Sequence, residues 1–238
     1  MSKTSRYSPK ISPTRRSIRQ LFYRGLFFFF SASIISVLAL GLLPAPTSSF
    51  MLYRHYEDLV DKHRYQAIDY QWVSANRMAK TASAAVIASE DQLFYHHLGF
   101  DLHAIKLALN ASLNGGQALR GASTITQQVA KNLFLIPSKS FIRKGLEAWF
   151  TILIELFWTK DRILTVYLNI AEFGDHLFGI EAASQRYFNC SANQLSRAQA
   201  ALLAATLPNP LKLKADKPTS YVLKRQNWIL RQMSNQAL

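Results

Sequence analysis

Residues 25–43 read GLFFFFSASIISVLALGLL, nineteen positions without a charge, closed by Pro44. No other stretch restricts the chain so strongly. A helix of this length rises about 28 Å, the thickness of a bilayer's hydrocarbon core. The flank before it carries Lys3, Arg6, Lys10, Arg15, Arg16, Arg19 and Arg24 and no acid. Basic flanks stay cytoplasmic, so residues 1–24 read as a cytoplasmic tail, residues 25–43 as a transmembrane anchor, and the body as lying across the membrane. A cleaved signal peptide is the rival reading. The run is long for one, and Pro44-Ala45-Pro46 is a poor cleavage site.

That placement changes what the charge means. The formal net charge is +14; seven of the 28 basic residues lie in the tail, leaving 21 against 14 acids, a body near +7. A basic body suits an anionic partner. Facing away from the cytoplasm, it meets membrane phosphates and lipid pyrophosphates rather than nucleic acid. Cys190 is the one cysteine, so an internal disulfide is excluded, and it reads as a passive small residue.

Beyond the anchor, PAPTSSFM at 44–51 reads as a short linker, and 52–238 as one mainly α domain. Nine glycines and eight prolines against 49% hydrophobic residues leave ample material for a core. Residues 80–90 are alanine-rich. Asp101 is placed to cap a helix from Leu102 to about Leu113, and Ser123 one running to about Leu135 before Pro137. Residues 142–158 continue as helix. In 160–170, Ile163, Val166, Tyr167 and Ile170 make a helical stripe. Ser196 and Thr219 are placed to cap two more helices. No clear alternating strand set is visible. Asn114 to Arg120, NGGQALR, reads as a mobile segment able to gate a cleft.

Four constellations carry candidate chemistry. The first is ASEDQLFYHHLGFD at 88–101. A carboxylate at the end of an apolar helix is partly desolvated, and Glu90 beside Asp91 adds like-charge repulsion; both raise proton affinity toward that of a general base. The alternative is structural: Asp91, His97 and Asp101 bracing a turn around Gly99. A metal site is disfavoured, because His96, His97 and His103 lack i, i+4 spacing. The second is GASTITQQ at 121–128, either an anion or sugar cradle at a helix start or an ordinary capped helix. Lys131 follows one turn later on the side of Gln127 and Gln128. The third is Arg143, Lys144 and Glu147, a phosphate site or a surface ion pair. The fourth is LNIAEFG at 168–174 with LPNP at 207–210, read as chiefly architectural: a helix end, a turn and a proline stop.

In order and spacing, these segments resemble the motifs of the peptidoglycan glycosyltransferases, glycosyltransferase family 51. The residues that carry the likeness are EDQLFYHHLGFD from Glu90, GASTITQQ from Gly121, RKGLE from Arg143, ILTVYLN from Ile163 and ALLAATLPNP from Ala201. It covers about residues 52–235, and the chain is similar to the monofunctional biosynthetic type. Thr165 departs from the glutamate that many bifunctional members carry there.

The resemblance implies a lysozyme-like, two-lobed helical domain that polymerises lipid II, with undecaprenyl pyrophosphate leaving and inversion at the anomeric carbon. It implies Glu90 as general base, Asp91 as its neighbour and tuner, and Glu147 as a second acid acting directly or through a divalent cation, Mg²⁺ or Mn²⁺, with no tightly bound cofactor. Lys131, Arg143 and Lys144 would hold the pyrophosphate. Ser123, Thr124, Gln127 and Gln128 would line the cleft, supported by Phe94 and His97, with Asn169 carried as a further binding candidate. The expected setting is the bacterial inner membrane, with the catalytic domain periplasmic and cell-wall synthesis or division proteins nearby. Phe134, Leu135, Ile136, Phe141 and Ile142, interleaved with Lys139, Arg143 and Lys144, either dip into the membrane surface or pack inside. Two rival functions are a lytic enzyme using Glu90 as general acid and a non-catalytic cell-wall scaffold.

Overall fold

A computed structural model describes residues 15–60, 65–113, 123–138 and 140–235. The gating segment 114–120, Lys139 and the first part of the basic tail lie outside these residues. Ten α-helices and three very short strands are present among the described residues.

The anchor forms α1, Arg15–Leu42, longer at its start than the uncharged run, because Arg19 and Arg24 are helical as well. Ile18–Leu42 is long and apolar enough to cross a membrane by length and composition. Its first part is exposed throughout, while from Ser33 onward one stripe is covered: Ser33 and Val37 are buried, and Ile34 and Leu40 pack partly against the core. The covering element is α6, Phe141–Phe157, with its C-terminal neighbour Trp158. Trp149 Nε1 donates to Ser33 Oγ at 3.1 Å, and Trp158 Nε1 to the Val37 carbonyl at 2.8 Å. Gly41 permits this contact: a Cβ there would stand 2.7 Å from Trp158 Nε1. Arg162 donates to the Leu40 and Leu43 carbonyls, two of the acceptors a helix end leaves open. Its guanidinium lies over the rings of Trp72 and Trp158.

The stretch 44–51 is packed rather than free. Ala45, Ser48 and Met51 are buried, and α2, Ser49–Val60, already starts inside it. Apolar Ala45 and Met51 supply the burial that a Pro/Ser reading of this stretch as a linker overlooks.

The remaining helices fall into two groups. In the first, α3 (Lys80–Glu90) packs on α9 (Arg197–Thr206), and both pack on α10 (Ser220–Asn235). Alanines let α3 and α9 approach closely: Ala84, Ala85 and Ala88 on one, and Ala201, Ala204 and Ala205 on the other, are all buried. In the second, α5 (Ile125–Phe134) packs on α6 and on α7 (Lys160–Ile170). The stripe Ile163, Val166, Tyr167 and Ile170 is fully covered, as its spacing predicts. Between α3 and α5 runs α4, Leu102–Leu113, and α8, Ile180–Phe188, follows α7.

A small sheet closes the base. β1 (Asp69–Tyr70) pairs parallel with β3 (Leu177–Phe178), and β2 (Glu172–Gly174) pairs antiparallel with β3, in the order β1-β3-β2. Glu172–Gly174 is thus strand rather than turn, with Ala171 ending α7. Strands of two or three residues are too short to alternate visibly.

Candidate active site

Glu90 is the last residue of α3, where the helix emerges from its alanine-rich packing into a cleft of about 910 Å³ between the two helix groups. The walls are Ser123, Gln128 and Lys131 on one side and Asn209, Lys212, Tyr221, Arg225 and Trp228 on the other. A smaller recess of about 180 Å³ continues past Glu90 and Ser123 toward Asp101.

Three donors surround the Glu90 carboxylate. Ser89 Oγ donates to Oε1 at 2.9 Å, an Arg225 nitrogen to the same oxygen at 3.2 Å, and Gln128 Nε2 to Oε2 at 3.1 Å. Gln128 is oriented by Tyr167, whose hydroxyl donates to Gln128 Oε1 at 3.1 Å. Tyr167 is wholly buried, which pushes its phenol well above the ordinary range and keeps it a donor. Between them the three donors fix the position of both carboxylate oxygens.

Asp91 takes a different part. It is buried; Oδ2 accepts from the Ile125 N–H at 3.0 Å, and Oδ1 faces His97 Nε2 at 2.9 Å. The Gly99 N–H donates to His97 Nδ1 at 3.2 Å, so the neutral ring carries its hydrogen on Nε2 and gives it to Asp91. Burial pushes the Asp91 carboxyl up, opposed by His97, the Ile125 N–H and Lys160. Gly99 has φ +83°, which favours glycine, and its carbonyl accepts from Thr124 Oγ1 at 2.7 Å. Asp101 caps α4 through the Ala104 N–H at 2.8 Å. The braced turn around Gly99 therefore exists, with Asp91, His97 and Asp101 building it, and it seats the start of α5 beside Glu90.

Several sequence-derived assignments change at α5. Its cap is Thr124 rather than Ser123, in a reciprocal capping box with Gln127. Thr124 and Gln127 are buried in that box and do not line the large cleft, Thr124 reaching only the smaller recess; Ser123, released from capping, is exposed and lines both. The helix ends at Phe134, before Pro137. Phe94 is fully buried under the Lys160 ammonium, 4.6 Å from its ring centre, so it supports the turn from below. Asn169 is also fully buried. Its carboxamide accepts from the Val73 N–H and donates to the Val73 and Thr165 carbonyls, which leaves it no group for a ligand.

Lys131 reaches the cleft from α5. Burial pulls its ammonium down, with Arg143 and Lys144 acting the same way and Glu147 and Glu90 opposing. Glu147 is buried on α6; Arg143 donates to its Oε2 at 2.8 Å and Lys144 to its Oε1. Both oxygens are thus engaged by cations, and no group of three His, Cys, Asp or Glu side chains suited to a metal exists among the described residues. Among the described residues, the donor set does not fit a resident divalent ion. Leu135 is buried and Phe134 stacks on Phe150 at 4.3 Å, while Ile136, Phe141 and Ile142 are exposed. The proposed membrane-dipping segment therefore divides into an inward half and an outward half.

Sequence reading missed Arg225, Lys212, Tyr221 and Trp228. They stand more than 120 positions from Glu90, and Trp228 lies beside the apolar core stripe of α10. Pro208 and Asn209, part of the proline stop after α9, also line the cleft. The only local signal was cationic: Lys212 and Arg225 add to the basic excess of the body.

The chain matches the transglycosylase family model over residues 57–234. It is 47% identical over 216 residues to a biosynthetic peptidoglycan transglycosylase of Pectobacterium carotovorum subsp. carotovorum, covering 91% of this chain and 88% of that one. It is 50% identical over 219 residues to one of Chromohalobacter salexigens, covering 92% of each. A third, from Haemophilus influenzae, is 50% identical over 213 residues, covering 89% and 86% respectively.

Proposed function

The chain belongs to the transglycosylase family and is a peptidoglycan glycosyltransferase that builds glycan strands from lipid II; we propose that Glu90 is its general base. In this reading Glu90 takes the proton from the 4-hydroxyl of the acceptor's GlcNAc. That oxygen attacks the anomeric carbon of the donor's MurNAc and inverts it, and the C–O bond to undecaprenyl pyrophosphate breaks with its electron pair on the phosphate. Lys131, Arg143 and Lys144 meet the charge that develops there. Glu147 orders Arg143 and Lys144, and Asp91 sets the frame in which Glu90 and α5 meet.

The observation that carries the reading is the donor ring around Glu90 at the mouth of a large cleft with Lys131, Lys212 and Arg225 in its walls. It also separates synthesis from lysis. A pyrophosphate leaving group calls for the cations that Lys131, Lys212 and Arg225 place in the wall. Hydrolysis of a neutral glycan has no use for a basic wall.

The anchor stays uncleaved in this reading, with its basic end cytoplasmic and the catalytic domain in the periplasm. The length of the uncharged run and the poor cleavage site at Pro44-Ala45-Pro46 support retention. Cell-wall synthesis or division proteins are the expected partners.

The test is lipid II polymerisation by the full chain and by Glu90→Gln, with finished peptidoglycan offered in parallel. Polymer from the wild type and none from the variant is expected. Glycan cleavage without polymer would replace the reading with lysis, and full activity in the variant would remove Glu90 as base.

A further inference from the structure

Lys131 has a second neighbour that none of the motifs contains. Its Nζ stands 5.4 Å from the centre of the Phe50 ring, within the range of a cation–π contact. Phe50 is half-buried, and together with Lys131, Pro137, Ser138 and Arg143 it lines a recess of about 360 Å³. We propose that Phe50 is a positioning residue of the pyrophosphate site, its ring face holding the Lys131 ammonium at the recess shared with Arg143. The proposal rests on the reading of Lys131 as a contact to the donor's phosphates.

The helix that carries the ring is fixed at its start and again at its middle. Ser49 Oγ donates to the Leu133 carbonyl at 2.8 Å, two residues beyond Lys131 on α5. Next to Phe50, Met51 is buried. Further along α2, Arg54 donates twice to Glu172, at 2.8 and 2.9 Å, and to Glu57 at 2.6 Å. A side chain held this way makes contact at little cost in entropy.

Electrostatics explain why Lys131 needs the ring. Burial works against its charge, as do Arg143 and Lys144 on α6; Glu147 on α6 and Glu90 on α3 work for it. Glu147 is already shared between Arg143 and Lys144, and Glu90 among Ser89, Arg225 and Gln128. The negative face of an aromatic ring favours the ammonium form without competing for the phosphate, because it accepts no strong hydrogen bond. The leaving group then meets a cation already aimed.

The test uses the full chain in detergent micelles, with inorganic pyrophosphate as the probe in calorimetry and lipid II in kinetics. Phe50→Leu keeps the apolar volume and removes the ring; Phe50→Met serves if the leucine variant does not fold. Pyrophosphate binding is expected to weaken about three- to ten-fold, and the alkaline limb of kcat/KM to move down by roughly half to one pH unit. Phe50→Trp restores both, and in a Lys131→Met background Phe50→Leu has no further effect.

Unchanged binding and pH profile in Phe50→Leu, or equal weakening in the Lys131→Met background, overturns the proposal. If Lys131→Met polymerises lipid II as the wild type does, the phosphate reading of Lys131 fails instead. Loss of activity in Lys131→Met with an unaffected Phe50→Leu sinks the Phe50 inference alone.

Discussion

Glu90 and Asp91 are neighbours in sequence and opposites in surroundings. Glu90 faces a cleft and three donors; Asp91 is buried between His97 and the Ile125 N–H. Glu90→Gln is expected to lower polymerisation by about 10²–10⁴-fold, the usual reach of a general base, with little change in melting. Asp91→Asn should do the reverse in kind. Asparagine turns a donor toward the hydrogen on His97 Nε2 or toward the Ile125 N–H, so one buried contact is lost, at about 1–3 kcal/mol, and melting temperature falls. Lys131 presents a trade. Its folded-state proton affinity is depressed, so its stabilising contribution is present above the unfolded value of 10.5 and is lost as pH falls through the folded one. At neutral pH the charged side chain therefore costs the fold, and Lys131→Met should raise the melting temperature while abolishing polymerisation. Melts from pH 7 to 10 check this: the gain shrinks as pH rises.

Elements differ in how openly the sequence declares them. Ser196 and Gln199 form a capping box, and the same three-residue spacing at Thr124 and Gln127 identifies the true cap of α5; Ser123 has Thr126 at that spacing and cannot close the box. That distinction was legible and decides which hydroxyl reaches the cleft. The carboxylate pair of Glu90 and Asp91 and the basic residues of α5 and α6 were legible as motifs. The wall formed by α10 was not, because Arg225 and Trp228 read as an ordinary amphipathic helix until α10 packs against α3. Pairing among strands of two or three residues leaves no periodic trace either. The joint between α1 and α6 was equally hidden, since Ser33, Val37 and Gly41 look like any small residues in a membrane span. Gly41→Leu tests that joint: a side chain 2.7 Å from Trp158 Nε1 forces the helices apart. An overpacking cost of about 1–3 kcal/mol is expected, with lower melting temperature and red-shifted tryptophan emission in micelles.

For the whole molecule, charge and anchor act together. The body beyond the tail carries about +7 and lipid II is anionic; in the reading proposed above, lipid II and α1 share one membrane. Attraction of this kind is screened over about 8–10 Å at physiological salt. In bilayer nanodiscs, the KM for lipid II should rise between 50 and 300 mM salt, values chosen to span that Debye range, while kcat changes little; a flat KM would assign capture to the cleft alone. The docked anchor also has a meaning for how the chain is made. Ser33, Val37 and Leu40 meet partners 116 to 122 positions later. At ~5–20 residues per second the ribosome needs roughly 6–24 s to supply them. During that interval the α1 stripe can pair with lipid or with another membrane helix. With α1 as the membrane anchor proposed above, assembly of this enzyme ends with a lateral capture in which a helix already in the bilayer is claimed by the domain that follows it.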